Sequence, residues 1–320
     1  MPQPQLEAAK LTPGEAAAML RPAFPDAHVS VSEVVTRLGG ENNTVYEVRC
    51  AEPVGGVIVK VYPEMLHWLQ KKEAHVWRLL ARHGVEAVPT VLYSAPDGGP
   101  SGRGHTVMSL LEGQPLAEVV NDLTPTELRG AYRRIGAFLA TFHAIDQDAY
   151  GYLITELHDP EPDNGSYMRR EYAQRLDEFA ERGGDPVLHR RLRDHVAARA
   201  ELFDHCEAPK LCHNDLHEGN VLVARGPDGW QVTGFVDAEN VTAADPLLDL
   251  ARTHYTAVGD DTAKWDALVE GYGPLPADWA ERLALYRLYQ ALVLWDWFAL
   301  IGGYGERLES IAEDLKRMLA

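Results

Sequence analysis

The sequence predicts an α+β protein built in two unequal parts, a small β-rich N-terminal third and a larger, mostly helical remainder. Three observations carry this. Between Val29 and Tyr62 the chain runs in short alternating apolar stretches broken by glycine, the texture of antiparallel strands. After Gly113, apolar residues recur at helical spacing almost throughout. The one departure is a short pair of apolar runs between Val221 and Val236, bent at Gly226-Pro227-Asp228-Gly229 into a hairpin.

The elements follow in order. A short helix over 11–21 is opened by Thr12, Pro13 and Glu15. From Val29, "VSVSEVVTRL" leads to Gly39-Gly40, then "NTVYEVRC", a turn over 52–56, and "VIVKVY". Residues 66–83 form a helix stopped by Gly84. Strands over 91–94 and 105–110 are separated by the loop "APDGGPSGRG". The helices that follow are expected over 127–143, 165–182, 185–203, 246–255, 262–272 and 279–300. The division gives a lobe over 1–108, a connecting segment over 109–113 and a second lobe over 114–320.

With 320 residues, 46% hydrophobic and 24% charged, the chain can bury two cores. Its N-terminus lacks a basic start followed by an apolar run, so no signal peptide is expected. The apolar stretch "LVLWDWFALIGGY" carries Asp296 and is too short to span a bilayer. Three cysteines, Cys50, Cys206 and Cys212, show no metal-like spacing, which points to a reduced, cytoplasmic protein. A net charge of −18 argues against nucleic acid as a partner. The acidity is uneven. Residues 1–110 hold 10 basic and 11 acidic side chains, residues 111–320 hold 20 and 37.

The chemistry concentrates in "LCHNDLHEGNVLV", residues 211–223. Antiparallel pairing returns the hairpin to its start, so Asn220, just before the first strand, and Asp237, just after the second, belong at one end. Asp215 hangs on the loop before Asn220. Two carboxylates and an amide oxygen then converge, a donor set that suits Mg²⁺ with phosphates and water. A loop of ordinary turn-formers would use the same residue types. His213, Asp215 and His217 also have transition-metal spacing, but no further His or Cys pair supplies a clear fourth ligand.

The spacing His213-x-Asp215-x-x-x-x-Asn220 follows the H-x-D-x-x-x-x-N order of kinase-fold catalytic loops. Two checks come from the N-terminal third. Lys60 sits in an apolar strand where Ile58, Lys60 and Tyr62 share a face. In the next helix Leu66, Leu69, Val76 and Leu80 form a stripe whose missing member is Glu73. An inward carboxylate needs a partner, and Lys60 is the obvious one. A glutamate at the stripe's margin reaching water is the alternative.

These pieces, with "EAHVWRLLARHGVEAVPTVL", "TVMSLLEGQPL" and "GFVDAENVTAADPLLDLAR", make the sequence resemble the aminoglycoside phosphotransferase family and its choline-kinase and macrolide-kinase relatives. The resemblance spans residues 38 to 252. It implies a two-lobed protein-kinase-like fold with ATP or GTP in the cleft. Lys60 would bind the α/β-phosphates, braced by Glu73, and Gly39 and Gly40 would begin the loop over them. Ser109 to Leu111 would touch the base through backbone groups. Asp215 would act as base, with Asn220 and Asp237 as Mg²⁺ ligands. Two departures stand out: Asn214 where glycine is commoner, and Ala244 before Asp245-Pro246. Asp245 and Asp249 match a second acidic motif. Asp245 looks like a helix N-cap with Pro246 at the first helical position, and both acids are taken as structural.

The implied activity is transfer of the γ-phosphate to a hydroxyl of a small molecule. The acidic second lobe favours a cation, an aminoglycoside-like compound first. An amino alcohol, a sugar or a macrolide is the alternative, as is a nucleotide-binding pseudokinase. Candidate acceptor contacts are Glu239 and Asp296, the latter flanked by Trp295 and Trp297; a core helix would also account for "LWDWF".

Overall fold

The computed structural model of the chain describes residues 10–37, 43–51 and 54–319. Gly39 and Gly40 lie outside these residues. Thr12 opens α1 (Pro13–Leu20) with a capping box, its hydroxyl accepting from the Glu15 amide while Glu15 reaches back to the Thr12 amide. Five antiparallel strands follow: β1 (Val31–Thr36), β2 (Thr44–Cys50), β3 (Gly56–Val61), β4 (Val91–Ala95) and β5 (His105–Ser109), in the order β1-β2-β3-β5-β4. Between β3 and β4 runs α2 (His67–Arg82). The two helices serve different cores. Met19 and Leu20 of α1 pack with Tyr46, Val48, Val59 and Val107 of the sheet. Val76, Trp77 and Leu80 of α2 belong instead to the large core that fills the second lobe.

The connection from β5 to β6 (Gln114–Pro115) passes Gly113, which has φ +119°; a Cβ there would lie 2.7 Å from the Val223 carbonyl oxygen. Only glycine fits this left-handed, close-packed position. The second lobe then holds α3 (Leu116–Val119), α4 (Pro125–His143), β7 (Tyr150–Leu153), β8 (Leu157–Glu161), α5 (Asn164–Glu181), α6 (Pro186–Ala197), β9 (Lys210–Cys212), β10 (Val221–Gly226), β11 (Gly229–Phe235), β12 (Thr242–Ala244), α7 (Pro246–Thr253), α8 (Thr262–Tyr272), α9 (Trp279–Ile301) and α10 (Gly305–Met318). β10 and β11 form the expected hairpin, Val221 opposite Phe235 and Gly226 opposite Gly229, with β6 on its open edge. Phe235 stacks on Phe138 of α4 with ring centroids 3.8 Å apart, which fixes the hairpin against the core.

The structure corrects the helical reading of the second lobe in several places. A four-stranded sheet, β8-β7-β12-β9, accompanies the hairpin. The helix expected over 185–203 divides into α6 and a 3₁₀ segment, Ala200–His205. The helix after Pro246 ends at Thr253 and continues as a π-helical turn, His254–Val258. α10 was not anticipated, although Leu308, Ile311 and Leu315 give it a helical stripe.

Helices α4 and α8 touch backbone to backbone. A Cβ on Gly136 would be driven into the Leu268 carbonyl oxygen, and one on Gly271 into that of Arg133. Neither obstacle is a side chain that can rotate away. Gly136→Ala is therefore expected to destabilise the fold by about 1–3 kcal/mol despite alanine's better helix propensity. Thermal melting monitored by circular dichroism checks this; a melting temperature equal to or above wild type would refute the close approach.

Candidate active site

Lys60 lies on β3, the central strand, opposite Val45 on one side and Thr106 on the other. Its Nζ donates to Glu73 Oε1 at 2.8 Å, and both side chains are buried. The missing member of the α2 stripe is thus turned inward onto the strand lysine. The Tyr62 hydroxyl, two residues along the same face, donates to the other Glu73 oxygen. Burial works against the ammonium, but the carboxylates of Asp237, Glu73 and Glu239 outweigh it and hold the Lys60 pKa above the ordinary lysine value. The lysine is a fixed positive charge at the cleft wall.

The hairpin brings the other groups to face it. The Val236 amide donates to the Asn220 carbonyl at 3.0 Å, which closes the open end of β10 and β11 and sets Asn220 beside Asp237. Asp237 has φ +68°, a left-handed conformation that costs a non-glycine residue energy and recurs at functional sites. Its Oδ1 is 3.4 Å from Lys60 Nζ. The Asn220 side-chain amide donates through Nδ2 to the Asp215 carbonyl at 2.9 Å, which leaves its Oδ1 as a donor atom for a ligand. Two hard oxygen donors on one rim beside a lysine fit Mg²⁺ and anionic phosphates.

Between the lobes is a cavity of ≈ 430 Å³. Its lining combines the polar Lys60, Glu73, Asn220 and Asp237 with the apolar Val45, Ile58, Met108, Leu110 and Leu222, and includes Ser109 and Leu111. Ser109 is tied to Thr90 by a bond each way, its amide to the Thr90 carbonyl and the Thr90 amide to its hydroxyl, both 2.9 Å. Apolar side chains of this kind suit a flat aromatic base, and the lysine suits a polyphosphate.

Asp215 stands at the rim beyond Asn220. Arg252 of α7 donates to its Oδ1 through Nε at 3.2 Å and Nη2 at 2.7 Å; Asn240 Nδ2 donates to its Oδ2 at 3.1 Å. Burial pushes the Asp215 carboxyl up, yet Arg252, with His217 and His213, holds it below the usual aspartate value. The loop's backbone is set by Asp249, whose oxygens accept from the His213 and Asn214 amides at 2.5 and 2.9 Å. Asn214 has φ +58° and accepts from Gln290 at 2.9 Å. Asparagine tolerates that left-handed turn, which accounts for its standing where glycine is commoner. Asp245 caps α7 by accepting from the Leu247 amide at 2.9 Å, and also receives Arg282 and Tyr286.

His213 is fully buried against Phe138 and Phe142, and burial lowers its pKa; His217 accepts from the Gly219 amide. Among the described residues the one trio of His, Cys and acidic groups close enough to share an ion is His143, Cys212 and Asp249, not His213, Asp215 and His217. Asp249 is committed there to two backbone amides and to His143.

The acceptor contacts expected from sequence divide. Asp296 is buried and neutralised by Arg175 and Arg182, and Trp295 is buried against Phe179, so both serve the packing of α5 on α9. The core-helix alternative for "LWDWF" holds for these two. Trp297 is exposed, and Glu239 is half-buried two residues beyond Asp237. Sequence reading missed Tyr62 as a partner of Glu73, and Asn240, Arg252 and Gln290 around the loop. Arg252 left a signal: it stands three residues after Asp249, on the same face of α7.

No curated protein sequence matches the chain. Solved structures do. A thermostable variant of aminoglycoside phosphotransferase APH(4)-Ia, in a ternary complex with ADP and hygromycin B, aligns at TM-score 0.71 with 15% identity over 95% of this chain and 98% of its own. A putative fructosamine-3-kinase from Haemophilus somnus 129PT aligns at 0.66, with 18% identity over 95% and 97%. Macrolide 2'-phosphotransferase MphH from Brachybacterium faecium aligns at 0.63, with 19% identity over 94% and 98%. At such identities the likeness establishes the two-lobed kinase-like fold. The sequence model of the phosphotransferase enzyme family matches residues 33–285, most of the chain, including Lys60, Glu73, Asp215, Asn220 and Asp237, and the chain belongs to that family.

Proposed function

We propose that the chain transfers the γ-phosphate of ATP or GTP to a hydroxyl of a small cationic molecule, with Mg²⁺ as cofactor and an aminoglycoside-like antibiotic as the first-choice acceptor. The observation that carries this is the facing arrangement of Lys60–Glu73 and of Asp215, Asn220 and Asp237 across one cleft. In this reading residues 1–108 hold the nucleotide, 109–113 connect the lobes, and 114–320 carry the acceptor. Ser109 and Leu111 border the base. Lys60 binds the α/β-phosphates, and Glu73 with Tyr62 keeps it in place. Asn220 and Asp237 would hold Mg²⁺, which when bound offsets the charge of the β- and γ-phosphates. Asp215 orients the acceptor hydroxyl and takes its proton.

The cation preference is supported by the charge division, 37 acidic against 20 basic side chains after residue 110. Glu239 and Trp297 are the remaining candidate contacts. An aminoglycoside-like acceptor would make antibiotic resistance the biological role. Amino alcohols, sugars and macrolides belong in the same panel. ADP release over a panel of amine-bearing antibiotics and metabolites tests the proposal directly. Exposed charges are screened over about 8 Å at physiological salt. Raising the salt is therefore expected to raise the acceptor's KM before it slows turnover at saturation. A neutral sugar or macrolactone as best acceptor, with a salt-independent KM, would show that the acidity serves solubility alone.

A further inference from the structure

One helix, α7, reaches the catalytic loop twice. From Asp249 a carboxylate goes to the loop's backbone amides; from Arg252, one turn later, a guanidinium goes to the loop's carboxylate. Arg252 and Asp215 are both largely buried, with side-chain exposures of 11% and 14%. A carboxylate offers about four lone-pair sites, two on each oxygen. Arg252 Nε and Nη2 take both sites on Oδ1. Asn240 Nδ2 takes one on Oδ2. One site is left.

We propose that Arg252 and Asn240 are positioning residues for phosphoryl transfer, which fill three lone-pair sites of the Asp215 carboxylate and leave one, on Oδ2, for the acceptor's hydroxyl. This rests on the reading of Asp215 as the base. The acceptor O–H donates to the free site. As its oxygen bonds to the γ-phosphorus, the proton passes to Oδ2, and the bridging oxygen leaves with its electron pair on the nucleoside diphosphate. Release of the phosphorylated product lets the proton go to water. A guanidinium is suited to the task because its planar fork fixes the carboxylate's rotation, which a single ammonium does not.

The test is a double-mutant cycle read as ADP release from MgATP with water as acceptor, so that it does not wait on the acceptor's identity. Arg252→Ala is expected to lower kcat by about 10–10²-fold, in line with misplacement of a reacting group by about 1 Å, with the KM for MgATP within twofold of wild type. Groups acting as one unit are not additive, so Asp215→Asn/Arg252→Ala should be no slower than Asp215→Asn alone. Methylguanidinium should restore Arg252→Ala several-fold, and methylammonium at the same concentration should not. Asn240→Ala, a milder change, should cost about 3–10-fold in kcat, and it carries the test if Arg252→Ala does not fold. Multiplying costs in the cycle, equal rescue by both cations, or a raised KM with normal kcat would each overturn the proposal. If Asp215→Asn itself leaves ADP release unchanged, the base assignment has failed. If Asp215→Asn is slow and Arg252→Ala and Asn240→Ala are normal, only the positioning role has.

Discussion

Asp215→Asn is expected to lower kcat by about 10²-fold or more while nucleotide affinity stays near wild type. The substitution keeps the shape of the side chain and removes the carboxylate proposed as proton acceptor, a contribution in the range that positioned acid–base groups supply. The separation of effects follows from placement. Asp215 is bonded to Arg252 and Asn240 at the rim, whereas the cavity is lined by Lys60, Glu73, Asn220 and Asp237. Affinity for a fluorescent nucleotide, measured beside kcat, distinguishes the two. The variant leaves Arg252 largely buried without its counter-charge, so some loss of stability is also expected, and a thermal melt should accompany the kinetics. A near-normal kcat would remove Asp215 from the mechanism.

Asp237→Ala is expected to abolish turnover. The side chain faces Lys60 and lines the cleft, so its loss would remove a hard ligand and a counter-charge together. Asn220→Ala should be milder and more specific, raising the Mg²⁺ concentration needed for half-maximal activity. It also frees the Asp215 carbonyl from its bond to the amide, so kcat at saturating Mg²⁺ should fall as well. An Asn220→Ala enzyme with unchanged Mg²⁺ dependence would show that the pairing of Asn220 with Asp237 does not make a metal site.

Much of this site was legible in sequence because local rules place it. A two-residue turn between β10 and β11 fixes which residues stand at the open end, so Asn220 and Asp237 could be brought together without coordinates. Helical periodicity turned Glu73 inward, and strand alternation turned Lys60 to meet it. What escaped was non-local. β9 and β12 are three residues each, too short to show a period, and their partners lie far along the chain. β7 and β8 contain Gly151, Asp159 at φ +44° and Pro160, which read as loop. Asp296 and the tryptophans beside it could not be assigned to core or surface until α5 and its C-cap supplied Arg175 and Arg182. The arginine that meets Asp215 is 37 residues away in sequence, and only its place one turn after Asp249 points to it.

Helix α2 carries Glu73, but it is also fastened to the other lobe. Lys72, the residue before Glu73, is fully buried; its Nζ donates to the Val241 carbonyl at 2.8 Å and lies 3.2 Å from the centre of the Tyr152 ring. Burial lowers its pKa to about 6, against the pull of Glu239 and Glu73. Trp68 meets the same ring edge-on, and the Tyr152 hydroxyl donates to the Glu239 carbonyl at 3.0 Å. The N-terminal half of the helix is thus fastened to the second lobe through Trp68 and Lys72 beside the residue that pairs with Lys60. Moving α2 outward would cost these contacts together with the lysine–glutamate pair, so the position of Glu73 is coupled to the seam between the lobes.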